Sequence, residues 1–137
     1  MIDTIGMVGK QFQTCPQKPN CVSTMANPKD EAHFIAPLPY TSSREKAQQQ
    51  LESILQELPR QKLIKKQSDY WHYEFHSAIF KFVDNVEFYF PERKKVIHMR
   101  SAAEFGYSDN GVNRKRLTAI QEAFLKVAGT SPPAEGL

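Results

Sequence analysis

Residues 70–77 read "YWHYEFHS" and residues 85–90 read "NVEFYF". Large apolar and polar side chains alternate strictly through both stretches, the period of a β-strand buried on one face only. A helix cannot gather such a pattern onto one side, so the centre of the chain is committed to a sheet. Trp71, Tyr73 and Phe75 mark the buried side of the first strand, and Val86, Phe88 and Phe90 that of the second. Nine of the fifteen aromatic residues fall between Tyr70 and Phe90, so this pair must supply much of the core.

The flanking segments follow from that centre. "KLIKKQ" predicts a short edge strand, its lysines discouraging further pairing. "PERK" predicts a turn and "KKVIHMRS" another strand. Short connections between consecutive strands make the sheet antiparallel. Before it, Ser42 and Glu45 have the spacing of a capping box. Ala47, Leu51, Ile54, Leu55 and Leu58 then form a helical stripe that Pro59 ends. A second helix is predicted from about Val112 to Ala128, with Leu117, Ile120, Phe124 and Val127 as its apolar stripe. The expected class is α+β: an antiparallel sheet of about four strands, two amphipathic helices on its aromatic face, and an irregular N-terminal arm over residues 15–41. "HFIAPLPY" within that arm should be extended, because Pro37 and Pro39 forbid helix. Residues 1–14 read as a flexible leader, 15–128 as one domain and 129–137 as a flexible tail.

A chain of 137 residues suits one domain with a modest core. Eighteen basic against fifteen acidic residues give a net charge of +3, too mild a balance to suggest nucleic acid. The basic clusters at 60–66, 93–95 and 114–116 read as solvated faces. No apolar run is long enough to cross a bilayer, and "MIDTIGMVGKQFQT" lacks the pattern of a signal peptide. A cytoplasmic protein and one that has lost an export segment both remain open. Cys15 and Cys21, in "CPQKPNC", are either bridged or free according to compartment. Two thiols alone do not complete a tetrahedral zinc site.

Three features carry chemistry. On a strand, His72, Glu74 and His76 share a face, and His98 from the later strand could join them around a divalent ion. The reading set against it is an ordinary wet sheet face. More broadly, the face opposite the aromatics collects His72, Glu74, His76, Glu87, Tyr89, His98 and Arg100. That face is either exposed or covered by the N-terminal arm, and the set reads as a charge-balanced surface or as a polar groove for a small ligand or peptide. Lastly, helix two opens with Arg114, Lys115 and Arg116, against the preference of its dipole for acidic groups. A bound anion would resolve the conflict, as would Asp109 and Asn113 acting as caps and ion-pair partners.

Four segments in order, "CPQKPNCVST", "HFIAPLPY", "FKFVDNVEFYF" and "VIHMRSAAEFGYSDNGVNRKR", resemble the DUF1499 proteins of bacteria and plastids, over roughly residues 15–124. Cys15, Asn20, Cys21, Asp84, Glu87, Arg100, Ser101, Gly106, Asp109, Gly111, Asn113 and Arg114 occupy positions characteristic of that family. The resemblance implies an exported or lipid-anchored envelope protein, periplasmic in bacteria, with a cytoplasmic location as the alternative, and it strengthens the case for a Cys15–Cys21 bridge. It brings no catalytic residue with it. The chain departs from the family pattern at Ala103 and Glu104, where a Ser-Arg pair is common, and at His76, which is usually not histidine. The second departure counts against a metal site built on His72 and His76 together.

The expected function is therefore a non-enzymatic binding or accessory module of the envelope. Its ligand face would comprise His72, Glu74, Glu87, His98, Arg100, Asp109, Asn113, Arg114 and Arg116, with no cofactor. The partner would be an unknown protein or a small anionic ligand. A metal-assisted hydrolase built on His72, Glu74, His76 and His98 is one alternative, and a structural subunit of a larger assembly another.

Overall fold

The computed structural model describes residues 5–78, 82–106 and 108–129; the ends of the expected leader and tail, residues 1–4 and 130–137, lie outside that range. The alternating stretches form the centre of a sheet. Strands β5 (Gln61–Lys66), β6 (Tyr70–His76), β7 (Val83–Tyr89) and β8 (Val96–Ala103) follow one another as an antiparallel meander. β5 is an edge strand. Its lysines and a register shift between Leu63 and Lys65 blunt that edge.

The sheet has six strands, where about four were expected. The other two come from the arm: β3 (Cys21–Ser23) and β4 (Leu38–Pro39) both pair antiparallel with β8, the first along Arg100–Ala102 and the second at Val96–Ile97. Neither is long enough to show a period in sequence, and each is defined by a partner more than fifty residues away. The arm is thus less irregular than its composition suggests.

Helix α1 (Arg44–Gln56) begins one residue later than predicted. Ser43, not Ser42, is the N-cap, and its hydroxyl accepts from the Lys46 N–H. The third helical residue is therefore Lys46, and no reciprocal box with Glu45 forms. Helix α2 runs Val112–Ala128 and ends at Gly129, whose left-handed backbone (φ +67°) lets its N–H cap Leu125. Both helices lie on the aromatic face. Ala47, Leu51 and Leu55 of α1 and Leu117, Ile120 and Phe124 of α2 pack with Trp71, Tyr73, Phe75, Phe88 and Phe90 in one core. Val127, expected in that stripe, is 53% exposed, while Phe124 and Ala128 on either side of it in the last turn pack against the core. Trp71 and Phe90 meet with ring centroids 4.8 Å apart. No helix among the described residues is long and apolar enough to cross a membrane.

The expected leader contains a hairpin, β1 (Met7–Val8) with β2 (Gln11–Phe12). Gly9 occupies the first loop position at φ +64°, a conformation that two-residue hairpin turns of this kind demand and that glycine adopts without strain. The hairpin lies over the face of the sheet opposite the helices, where Phe12 is buried with Tyr70 and Tyr89 and packs with Met7 and Met25. Cys15 and Cys21 are disulfide-bonded, which ties the base of the hairpin to the start of β3.

Candidate functional site

Strand register sets the polar face. Lys65, His72, Glu87, Arg100 and Ser23 stand in one row across five strands, and Tyr70, Tyr89 and His98 in the next. Sequence alone left this face either exposed or covered by the N-terminal arm. The structure decides for the central pair: Glu87 and Arg100 are 0% and 1% exposed, under a hairpin from the expected leader. Arg100 Nη1 donates to Glu87 Oε1 at 3.3 Å. Glu87 Oε2 accepts from the Tyr70 hydroxyl at 2.5 Å and from the Gly6 N–H at 2.8 Å. Three donors satisfy the carboxylate. The guanidinium fares worse, since its Nε is buried with no partner. Burial lowers the Arg100 pKa from its usual value, with Glu87 acting in the opposite sense. Burial, followed by the bond to Glu87, raises Tyr70 well above the ordinary phenol range.

Toward the other end of the face, the expected metal ligands do not converge. His72 Nε2 lies 2.8 Å from Asn85 Oδ1, and His76 Nε2 lies 3.2 Å from Glu74 Oε1. His98 is turned to the arm, its Nδ1 2.8 Å from the Thr24 hydroxyl oxygen, which also accepts from the Met99 N–H. Burial, and secondarily the charge of Lys94, lowers the His98 pKa to about 4. Among the described residues no three His, Cys, Asp or Glu side chains are grouped to hold a metal ion. Side chains two apart on a strand share a face without sharing a focus; convergence needs a partner that these strands do not supply.

The start of α2 is likewise resolved by the protein itself rather than by an anion. Asp109 accepts from the Gly111 N–H, the Asn113 N–H and the Asn113 side chain. Burial would raise its pKa, but these bonds outweigh burial and hold it below the ordinary carboxylate value. Arg114 leaves the helix to donate to the carbonyls of Glu31 and Phe34, at 3.0 and 2.9 Å. Arg116 pairs with Asp84 at 2.9 Å, reaches Asn113 Oδ1 and Ser101 Oγ, and stacks over Phe75. Asn113, fully buried, also donates to the Asn20 carbonyl, while the Asn20 side chain donates to the Gly106 carbonyl. Asn20, Asp84, Ser101, Gly106, Asp109, Gly111 and Asn113, all singled out by the family resemblance, thus form one connected polar group that fastens the arm, the sheet and α2 together.

The sequence reading passed over a cavity of about 360 Å³ lined by Lys10, Met25, Tyr89, Pro91, Glu92, Arg93, Lys94 and His98. Lys10 comes from the hairpin turn and Arg93 and Lys94 from the β7–β8 turn, so a fold contact between segments some eighty residues apart builds the site. The basic turn was visible in sequence, but nothing there indicated that it faces a second cation. A cavity of about 220 Å³ flanks the hairpin on its other side, lined by residues that include Phe12, Cys15, Ser23, Met25 and His33. A third, of about 350 Å³, lies between Phe82, Phe105, Val112, Asp84 and Asp109.

Comparison with known proteins matches residues 11–124 to a family described as "Protein of unknown function (DUF1499)". No curated protein and no solved structure matches the chain.

Proposed function

The chain belongs to the DUF1499 family of proteins of unknown function, and we propose that it is a non-enzymatic binding module that takes a small anionic group in the cavity between the hairpin turn and the β7–β8 turn. One observation carries this reading: Lys10, Arg93 and Lys94 surround that cavity with Glu92 as the only carboxylate among its lining residues. Three cations against one anion in a concave, partly desolvated space attract a phosphate or carboxylate. Tyr89 and the uncharged His98 add polar groups without adding negative charge. Binding rather than catalysis is favoured because the acids and bases of the sheet face are engaged with one another: His76 with Glu74, and Arg100 with Glu87.

The same proposal places the protein in the cell envelope. The Cys15–Cys21 bond supports it, since disulfides persist mainly in oxidising compartments. Titration calorimetry of the full chain with inorganic phosphate, sulfate and citrate at low salt tests the binding reading. Arg93→Ala combined with Lys94→Ala should weaken binding at least about tenfold, with a marked loss at higher ionic strength. If none of the three anions binds at millimolar concentration, or the double variant binds as wild type does, the reading fails.

A further inference from the structure

The N-terminal hairpin is an unusual element of this fold. β1 and β2 pair only with each other and add no rung to the main sheet. The described contacts of this segment with the sheet face and the arm include the Gly6 N–H on Glu87 and against the Tyr70 hydroxyl, the Phe12 N–H 3.3 Å from the Met25 sulfur, and a small apolar cluster separate from the main core. Open clefts of about 360 and 220 Å³ border the hairpin. Beneath it lies Arg100, 1% exposed, which among the described residues has one hydrogen bond, at 3.3 Å, and a buried Nε without a partner. A buried guanidinium donor without an acceptor is destabilising, and the hairpin does not relieve it.

We propose that the sheet face around Tyr70, Glu87 and Arg100 is a binding groove for an extended peptide, and that the hairpin is its internal, imperfect occupant. The hairpin itself displays the required chemistry. A backbone N–H meets Glu87 Oε2, and a large aromatic side chain packs with Tyr70 and Tyr89. What it lacks is an oxygen for Arg100 Nε. A peptide that brings a carbonyl or carboxylate oxygen to that nitrogen makes the contact the hairpin leaves unmade, and so displaces it. The disulfide keeps Cys15 at the rim, so the displaced segment swings from a fixed root. Peptide recognition here does not depend on anion binding in the neighbouring cavity: absence of phosphate binding leaves the groove untouched.

The test uses the full chain and a fluorescently labelled synthetic peptide, IGMVGKQFQT, which repeats residues 5–14. Phe12→Ala weakens the internal occupant, so the variant should bind the peptide at least about tenfold more tightly than wild type, whose groove is occupied. A peptide with alanine in place of its phenylalanine should not bind. Hydrogen exchange on wild type should show the amides of Met7–Phe12 opening far faster than those of β6, β7 and β8. The proposal is overturned if those amides exchange no faster than the central ladder, if folded Phe12→Ala fails to bind the peptide, or if Phe12→Ala does not fold, which would make the hairpin an integral part of the domain.

Discussion

Strands β7 and β8 carry two buried polar groups, one on each face, and the two are built differently. Under helix α2, Arg116 has Asp84 at 2.9 Å, Asn113 at 2.9 Å and Ser101 at 3.2 Å, and Asn113 uses both ends of its amide. Under the hairpin, Arg100 has among the described residues a single carboxylate contact, at 3.3 Å, and a buried nitrogen without a partner. Both groups are charged and both are shielded from water. Burial therefore does not distinguish the two groups; saturation does. A polar group whose donors and acceptors are all met fixes one arrangement of the chain. A group left short has room for another partner.

The contrast breaks most sharply under substitution. Glu87→Leu alone strands a buried guanidinium and should lower stability by about 3–5 kcal/mol. Adding Arg100→Met removes the stranded charge, and the double variant should return to within about 1 kcal/mol of wild type in urea unfolding, because the natural pair was poorly satisfied. On the other face Asn113→Leu should lower stability by about 2–3 kcal/mol, since Ser101, Arg116, Asp109 and the Asn20 carbonyl each lose a partner. Adding Ser101→Ala should recover little, because Arg116 loses a further acceptor and Asp109 and the Asn20 carbonyl still lack the Asn113 side-chain donor, keeping only their backbone N–H partners. Rescue on both faces, or on neither, would remove the distinction between the groups.

The next effect concerns what holds the hairpin's root. Replacing Cys15 and Cys21 together with serine removes a crosslink over a loop of six-residue separation and should lower stability by about 2 kcal/mol. The loss should fall on the hairpin side of the molecule. Hydrogen exchange would then rise at Met7–Phe12 while the Ser101–Asn113 contact keeps α2 protected.

How much of this was legible follows the range of the interactions. Trp71, Tyr73 and Phe75 announced their face through local alternation, and the stripes of α1 and α2 did so through local period. Both readings held because a strand or helix faces the core through its own spacing. The polar face was left either exposed or covered by the N-terminal arm, because nothing near Glu87 or Arg100 in sequence says what lies over them; the expected leader does, with Gly6 eighty-one residues before Glu87. Strands β3 and β4 were missed for the same reason, being two or three residues long and defined by β8. At α2 the sequence left two answers, a bound anion or internal caps. Asp109 and Asn113 supply the second, while Arg114 reaches carbonyls of the arm that no local pattern could reveal.

The smallest predicted effect tests whether the arm beneath the hairpin depends on charge. His33 is nearly buried, with Nδ1 2.7 Å from Asp30 Oδ2 and Nε2 2.7 Å from the Lys18 carbonyl, inside the disulfide loop. A carboxylate and a carbonyl can only accept, so both ring nitrogens are donors and the ring is cationic. Burial lowers its pKa and so, to a smaller degree, does Arg114; the bonds to Asp30 and Lys18 together with the Asp30 charge outweigh them and raise it above the ordinary 6.5. The folded value therefore exceeds the unfolded one. The stabilisation is complete below the unfolded value and is lost as pH rises through the folded one. His98 works in the opposite sense, since its pKa near 4 removes stability as pH falls from 6.5. A comparison of wild type with His33→Gln cancels the His98 contribution, which both chains share. The wild-type advantage in urea unfolding should be largest near about pH 5.5 and shrink by about pH 8.5. A difference that stays flat across that range would mean that His33 is not held as a cation, and that the arm is fastened to the disulfide loop without help from charge.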